Sequence, residues 1–98
     1  MNIDFLEVAA LELDDAFAYY EYQQQNLGYQ FTYEVWNTIE RIKYYPKAWH
    51  SFSHNTRRCL VKNFPYGVIY QAKENNSILI VAIMNLHRKP SYWVDRLK

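Results

Sequence analysis

Apolar side chains recur at intervals of three and four along residues 8–27, with polar and acidic side chains between them. The apolar positions are Ala9, Leu13, Ala16, Phe17 and Tyr20. This spacing places side chains on one face of a helix, so the segment predicts an amphipathic helix. The sequence Asn26-Leu27-Gly28 predicts its end, because glycine readily adopts the left-handed conformation that closes many helices.

A second apolar stripe with helical spacing follows and stops before Pro46. It consists of Phe31, Val35, Ile39 and Ile42. Proline disfavours the helical conformation in the residue that precedes it, so the second helix is expected to end there. The link between the two helices is short, which predicts an antiparallel helix hairpin.

Downstream of Pro46 the pattern changes to short β-prone runs, which cover residues 57–64, 68–72 and 78–84. Residues 47–55 show no period and predict a loop, whereas Ile3-Asp4-Phe5 alternates and is a candidate first strand. The run 78–84 is apolar at every position, as expected for a strand that is covered on both faces.

These elements predict one α+β domain over residues 1–98, with a two-helix antiparallel hairpin packed on a small twisted antiparallel sheet. A short tail follows Met84. The length suits a single core, and 10 Tyr, 5 Phe and 3 Trp favour a folded chain over a disordered one.

Charge is divided unevenly along the chain. Eight of the 10 carboxylates precede Arg41, and all 11 Lys and Arg lie at or after it, so residues 1–40 carry 0 − 8 = −8 and residues 41–98 carry 11 − 2 = +9. Such asymmetry indicates an acidic or polyanionic partner for the second half. On charge counts alone, the two halves could equally pair with each other inside one domain.

The sequence also bears on location and on metal chemistry. Its first residues lack the basic start of a signal peptide and no run reaches the length of a membrane span, so the expected location is the cytoplasm, with no membrane partner. A single cysteine, Cys59, excludes an intramolecular disulfide and is expected to be a small buried residue. His50 and His54 are four residues apart but fall in the predicted loop without a third ligand, so no metal and no cofactor is expected.

The order of elements, together with several local strings, resembles the RelE/ParE toxin superfamily of type II toxin–antitoxin operons. The strings are Glu12-Leu13-Asp14-Asp15-Ala16, Tyr19-Tyr20-Glu21, Phe31, Glu34-Val35, Ile39, Ile42, Pro46, Arg57-Arg58, Phe64-Pro65-Tyr66-Gly67-Val68-Ile69-Tyr70, Ala82-Ile83, His87-Arg88-Lys89-Pro90 and Tyr92-Trp93. The resemblance covers nearly the whole chain. It implies an operon protein that a cognate antitoxin neutralises by wrapping a flexible segment around it, in a toxin–antitoxin hetero-oligomer.

The superfamily contains two kinds of toxin. RelE-like members are metal-independent, ribosome-dependent mRNA endoribonucleases, and the resemblance implies Arg58, Arg88 and Tyr92 as catalytic candidates. His87 is a further candidate, as a base or acid in a different arrangement. Leu60 and Gly67 stand where RelE-like members carry further cations, and neither side chain can stabilise charge on a phosphate. The incomplete set favours the ParE-like, plasmid-stabilisation branch, whose members inhibit DNA gyrase without an established hydrolytic site.

A binding surface is therefore expected in the basic half, for the antitoxin and for the target. Its members are Arg57, Arg58, Arg88, Lys89, Tyr92, Trp93 and Arg96, because cations interleaved with aromatic rings suit interfaces and nucleic-acid contact. Arg57 and Arg58 could equally be ordinary solvated strand residues, and Trp93 could fold back over the sheet. A RelE-like endoribonuclease, or an inactive module that binds only its operon partner, remains the alternative.

Overall fold

Two helices and five strands make up the computed structural model, which describes residues 2–97. In chain order the elements are β1 (Asn2–Phe5), α1 (Glu7–Gln23), α2 (Leu27–Tyr44), β2 (His50–Phe52), β3 (Thr56–Leu60), β4 (Tyr66–Lys73), β5 (Ser77–Asn85) and the short 3-10 helix η1 (Val94–Leu97). The predicted α+β class is confirmed. Neither helix of this described part is both long and apolar enough to cross a membrane.

The helix hairpin forms as predicted, but the link between its helices differs in detail. α1 ends at Gln23, and the left-handed residue is Asn26, with a φ of 73°, instead of Gly28. The Glu21 carboxylate accepts hydrogen bonds from the backbone N–H groups of Asn26 and Gly28, each at 3.0 Å, and so caps the start of α2. Gly28 is required for a different reason. A Cβ at this position would lie 2.5 Å from the Phe17 carbonyl oxygen, so glycine permits the close approach of the helices.

The sheet has the strand order β1-β5-β4-β3-β2. Its last four strands form an antiparallel meander, whereas β1 pairs in parallel with β5, from Asn2 beside Ser77 to Phe5 beside Ile80. The sheet is therefore mixed, where an all-antiparallel sheet was expected. The predicted loop 47–55 is also corrected, because His50–Phe52 form the edge strand β2 against Thr56–Arg58. Two of the three β2 residues, His50 and Ser51, are polar, so the strand lacks the apolar alternation that would mark it in the sequence.

Apolar side chains cover both faces of the sheet. On the inner face, the α2 stripe of Phe31, Val35, Ile39 and Ile42 packs against buried side chains of β3, β4 and β5. On the outer face, a smaller cluster contains Ile69, Val81, Ala82, Met84 and Trp93. Strand β5 is thus buried on both faces, as its unbroken apolar run predicted.

Candidate functional site

The free edge of β5 is the structural base of the candidate site. Strand β1 covers β5 as far as Ile80, whose carbonyl oxygen accepts a hydrogen bond from Leu6 N–H at 3.0 Å. Beyond that point side chains replace the missing strand. The Val81 carbonyl accepts from Arg96 at 3.0 Å, and the Ile83 N–H donates to Glu12 at 3.0 Å. Helix α1 and the tail thereby satisfy backbone groups that would otherwise be left unpaired.

Glu12 is the centre of this arrangement. The Arg96 guanidinium binds its two carboxylate oxygens through two hydrogen bonds of 2.8 Å, and the Tyr92 hydroxyl donates to Oε2 at 2.6 Å. Arg88 Nη1 lies 3.9 Å from the same oxygen. The side chains of Glu12 and Arg96 are each only 15% exposed, whereas that of Arg88 is 56% exposed. A two-pronged, largely buried Arg–carboxylate pair is among the stronger polar contacts in proteins.

The Tyr92 hydroxyl contacts the anionic Glu12, whereas its ring contacts two cations. The guanidinium carbons of Arg88 and Arg96 are 3.7 Å and 5.0 Å from the centre of its ring. Burial raises the pKa of its hydroxyl, and the hydrogen bond to the Glu12 carboxylate raises the pKa further. The hydroxyl therefore stays protonated at neutral pH and donates a hydrogen bond to Glu12, so it is not available as a base.

A cleft of about 320 Å³ opens beside Glu12, between α1 and the start of the tail. Its walls include Asp15, Tyr19, Tyr66, Asn85 and Arg88. Burial raises the pKa of the Tyr66 hydroxyl, which also stays protonated at neutral pH. The cleft can donate and accept hydrogen bonds, and Arg88 supplies its cationic charge.

The tail residues predicted to form a binding surface divide into two groups. Arg88 and Lys89 are exposed, as is the neighbouring catalytic candidate His87. Trp93 is only 1% exposed and packs in the outer-face cluster, so it is a core residue and not an exposed anchor. Arg96 is also largely buried, because its guanidinium binds Glu12. The expected surface is therefore reduced in the tail to the residues near the end of β5.

Arg57 and Arg58 lie on opposite faces of β3, as neighbours in a strand must. Arg57 donates a hydrogen bond to the Trp49 carbonyl at 2.9 Å, on the side of the helices. Arg58 is on the outer face, where its guanidinium lies 4.9 Å from the centre of the Phe52 ring. Its aliphatic stem crosses Gly67, and a Cβ there would be 3.1 Å from it. Only Arg58 of this pair can contribute to an outer-face surface.

Comparison with models of known protein families finds no match, and comparison with curated proteins finds none either. Two of the similar solved structures match over most of this chain. One is a chain of the chromosomal ParDE TA system from P. aeruginosa, with 17% identity, a TM-score of 0.63, and coverage of 89% of this chain and 97% of that one. The other is the isolated E. coli RelE toxin, with 14% identity, a TM-score of 0.62, and coverage of 99% and 98%.

The chain has the fold of the RelE/ParE toxins. The resemblance seen in the sequence is therefore confirmed at the level of the fold. The two likenesses have similar TM-scores and do not distinguish the RelE-like from the ParE-like branch.

The side chains of the site do not form a complete phosphate-stabilising set for RelE-like chemistry. In this RelE/ParE fold, Leu60 is 53% exposed on the outer face and faces Gly67 across β3 and β4. Two positions that the resemblance implies as cationic are therefore neutral neighbours, beside Arg58. Of the acid and base candidates, Tyr92 donates a hydrogen bond to Glu12, whereas His87 is exposed.

The remaining candidates for chemistry are the cysteine and the two histidines near β2. Cys59 is buried, and burial raises the pKa of its thiol, which lowers its reactivity as a nucleophile. His50 lies on β2, and His54 lies in the following turn with its ring 3.0 Å from the Ser53 hydroxyl. Among residues 2–97, no group of three or more His, Cys, Asp or Glu side chains could hold a metal ion.

Glu12 is the residue of the site whose role the sequence analysis missed. It falls between Ala9 and Ala16 on the apolar face of α1, three residues after one and four before the other. A carboxylate in an apolar stripe requires a partner when it is buried. That conflict is the signal that could have identified it. Nothing near it in sequence indicates that the partner is Arg96.

Proposed function

We propose that this chain is the toxin of a type II toxin–antitoxin system and that it acts in the ParE-like manner, by binding an essential target in the cytoplasm. DNA gyrase is the favoured target, and a cognate antitoxin neutralises the toxin. The RelE/ParE fold supports the toxin assignment. The +9 charge of residues 41–98 supports a binding mode, because a basic surface accelerates association with acidic partners.

The ParE-like proposal depends on one observation, which is that neutral residues occupy positions where RelE-like members carry cations. Cleavage of a phosphodiester requires a base or acid and several cations around the phosphorane. Here Leu60 and Gly67 replace two cations, and Glu12 binds Tyr92 and Arg96. A binding surface needs no such set, because a few arginine and aromatic anchors supply most of the binding energy.

Two assays on the same purified protein test the proposal. Inhibition of gyrase supercoiling, together with growth arrest on induction and rescue by the product of the adjacent reading frame, is the expected result. Ribosome-dependent mRNA cleavage without an effect on gyrase would replace it with the RelE-like alternative. This alternative is favoured by one observation, the exposed His87 directly beside Arg88. Binding of the adjacent product without any growth arrest would identify an inactive interaction module.

A further inference from the structure

A second cleft lies at the edge of the sheet where β2 ends and β3 continues. β2 pairs only with Thr56–Arg58, so the end of β3 has no strand beside it at this edge. The space has a volume of about 490 Å³ and lies between α2, the segment before β2 and the end of β3. It is on the opposite side of the sheet order from β1 and is not part of the Glu12 site.

The walls of this cleft combine apolar and cationic side chains. Trp49, Leu60 and Val61 form apolar walls, and Leu60 is 53% exposed although it is a large aliphatic residue. The Trp49 Nε1–H is buried and has no hydrogen-bond partner in the described part of the chain. The Trp93 Nε1–H in the outer-face cluster is unpaired in the same way, so the buried indole N–H does not mark a binding surface, and the exposed Leu60 side chain is the feature that offers a partner an apolar contact.

Within the described part of the chain, the cleft is lined by cationic side chains and by no acidic ones. Arg41, Arg58 and Lys62 line it, and no Asp or Glu does. Within residues 2–97 these three cations take part in no ion pair, in contrast to Arg96, which binds Glu12. Arg41 Nη2 donates to the Leu60 carbonyl at 3.2 Å, which fixes one positive charge directly above the free end of β3.

We propose that this cleft binds an acidic amphipathic segment of the neutralising partner protein. The segment places an apolar side chain against Leu60 and Trp49 and its carboxylates beside Arg41, Arg58 and Lys62. The inference rests on the proposed function, since it names the surface through which that partner binds. Single-stranded nucleic acid is the competing occupant, since the exposed His50 ring also lines the cleft and bases stack on such rings. It fits less well, because it leaves the aliphatic Leu60, which is 53% exposed, without an apolar partner.

The cleft contains its own spectroscopic probe. The chain has 3 Trp, of which Trp49 lines the cleft, Trp36 is on the helix hairpin and Trp93 is beneath the tail. In ¹⁵N-labelled protein their indole N–H signals can be assigned by Trp→Phe variants. A capped peptide of about twelve residues, with alternating Leu and Glu, serves as the acidic probe. Its Leu–Lys counterpart and a single-stranded RNA of similar length serve as competitors.

We expect the acidic peptide to shift the Trp49 signal and to leave those of Trp36 and Trp93 in place. Lys62→Glu should weaken this binding about tenfold, because reversal of a charge at the rim replaces attraction by repulsion. Leu60→Ala should weaken it several-fold through lost apolar contact. Lys73→Glu makes the same change in net charge outside the cleft and should alter the affinity by less than about twofold.

Three results would overturn the proposal. They are no shift of the Trp49 signal, tighter binding of the RNA than of the acidic peptide, and equal effects of Lys62→Glu and Lys73→Glu. Growth assays separate this outcome from failure of the proposed function. Suppose that the wild type is toxic and that the partner neutralises the Lys62→Glu variant as well as it neutralises the wild type. This result would contradict only the proposal that the partner binds in the cleft. A wild type without toxicity would contradict the proposed function, and the peptide titration would still decide what the cleft binds.

Discussion

Glu12 in the first helix and Arg96 in the tail are joined by two hydrogen bonds of 2.8 Å, across 84 positions of the chain. The pair fastens the tail to the helix hairpin and also satisfies the edge of β5 at Val81 and Ile83. It therefore stabilises the fold at the point where the candidate functional residues emerge.

Replacement of Glu12 by Gln should destabilise the protein by about 3 kcal/mol, because Arg96 would remain largely buried without its counter-charge. For a domain of this size the corresponding fall in melting temperature is about 12 to 24 °C. Thermal unfolding followed by circular dichroism measures it. Glu40→Gln is the matched control, since Glu40 is 54% exposed in its pair with Lys43 and should contribute less than about 1 kcal/mol. Equal effects of the two substitutions would show that the Glu12 pair is not a significant source of stability.

The two glycines provide a test of the hairpin geometry. Gly28→Ala should cost about 1 to 3 kcal/mol, because the new methyl group would lie 2.5 Å from the Phe17 carbonyl oxygen and the helices must separate. At Gly67→Ala the one tight contact is with the flexible stem of Arg58, at 3.1 Å, and Leu86 lies at an ordinary 3.6 Å, so the cost should be clearly less. Chemical denaturation of both variants gives the comparison. A larger cost at Gly67 would mean that the helices separate easily and that the outer face of the sheet is the rigid part.

The parts of the fold predicted from sequence are those that local spacing determines. The stripe from Phe31 to Ile42 predicted α2, and the apolar run 78–84 predicted a strand buried on both faces. The parts that were wrong depend on contacts between distant residues. The parallel pairing of β1 with β5 joins the first residues to residues 77–80, and it has no local signature.

The same distinction applies to the candidate site. The sequence left open whether Trp93 is a surface anchor or folds back over the sheet, and its burial with Val81 and Met84 on the outer face decides for the second. The Glu12 contacts span 71 to 84 positions, and no pattern within α1 names the partners. Charge counts do not distinguish paired from unpaired cations, and only the fold shows that Arg96 binds Glu12 while Arg58 has no ion pair within residues 2–97.

Stability at high pH should depend on Tyr70. Its hydroxyl donates to the Pro46 carbonyl, and burial raises its pKa from 10.0 to about 12. The unfolded state then loses this proton at a lower pH than the native state, so the stabilisation is complete below pH 10 and decreases as pH rises towards 12. Between about pH 9 and pH 11 the wild type should lose roughly 1 kcal/mol that Tyr70→Phe does not lose.

Urea unfolding of the wild type and Tyr70→Phe at several pH values tests this prediction. Tyr22→Phe is the control, because Tyr22 is 92% exposed and its substitution should leave the alkaline slope unchanged. Parallel slopes for the wild type and Tyr70→Phe would show that the buried hydroxyl does not control alkaline stability.

Growth inhibition should depend more on Arg88 than on His87. Arg88 stacks on Tyr92, with its guanidinium carbon 3.7 Å from the ring centre, and its side chain is 56% exposed, so it can form an anchor for a target. Arg88→Ala should reduce affinity for the target by about tenfold, which is within the usual range for an interface anchor, and His87→Ala should reduce it by less than about threefold. The inducer concentration that halves growth, and inhibition of gyrase supercoiling by purified protein, measure the effect.

Tyr92→Phe distinguishes this binding mode from a ribonuclease. The substitution removes the hydrogen bond to Glu12 but keeps the ring beneath Arg88, so a binding toxin should lose about 1 to 2 kcal/mol of stability and little activity. A ribonuclease that used this hydroxyl as its acid would instead lose cleavage by about two to four orders of magnitude while still binding its target. Ribosome-dependent mRNA cleavage by the wild type that is abolished in folded Tyr92→Phe or His87→Ala would therefore replace the ParE-like assignment by the RelE-like one.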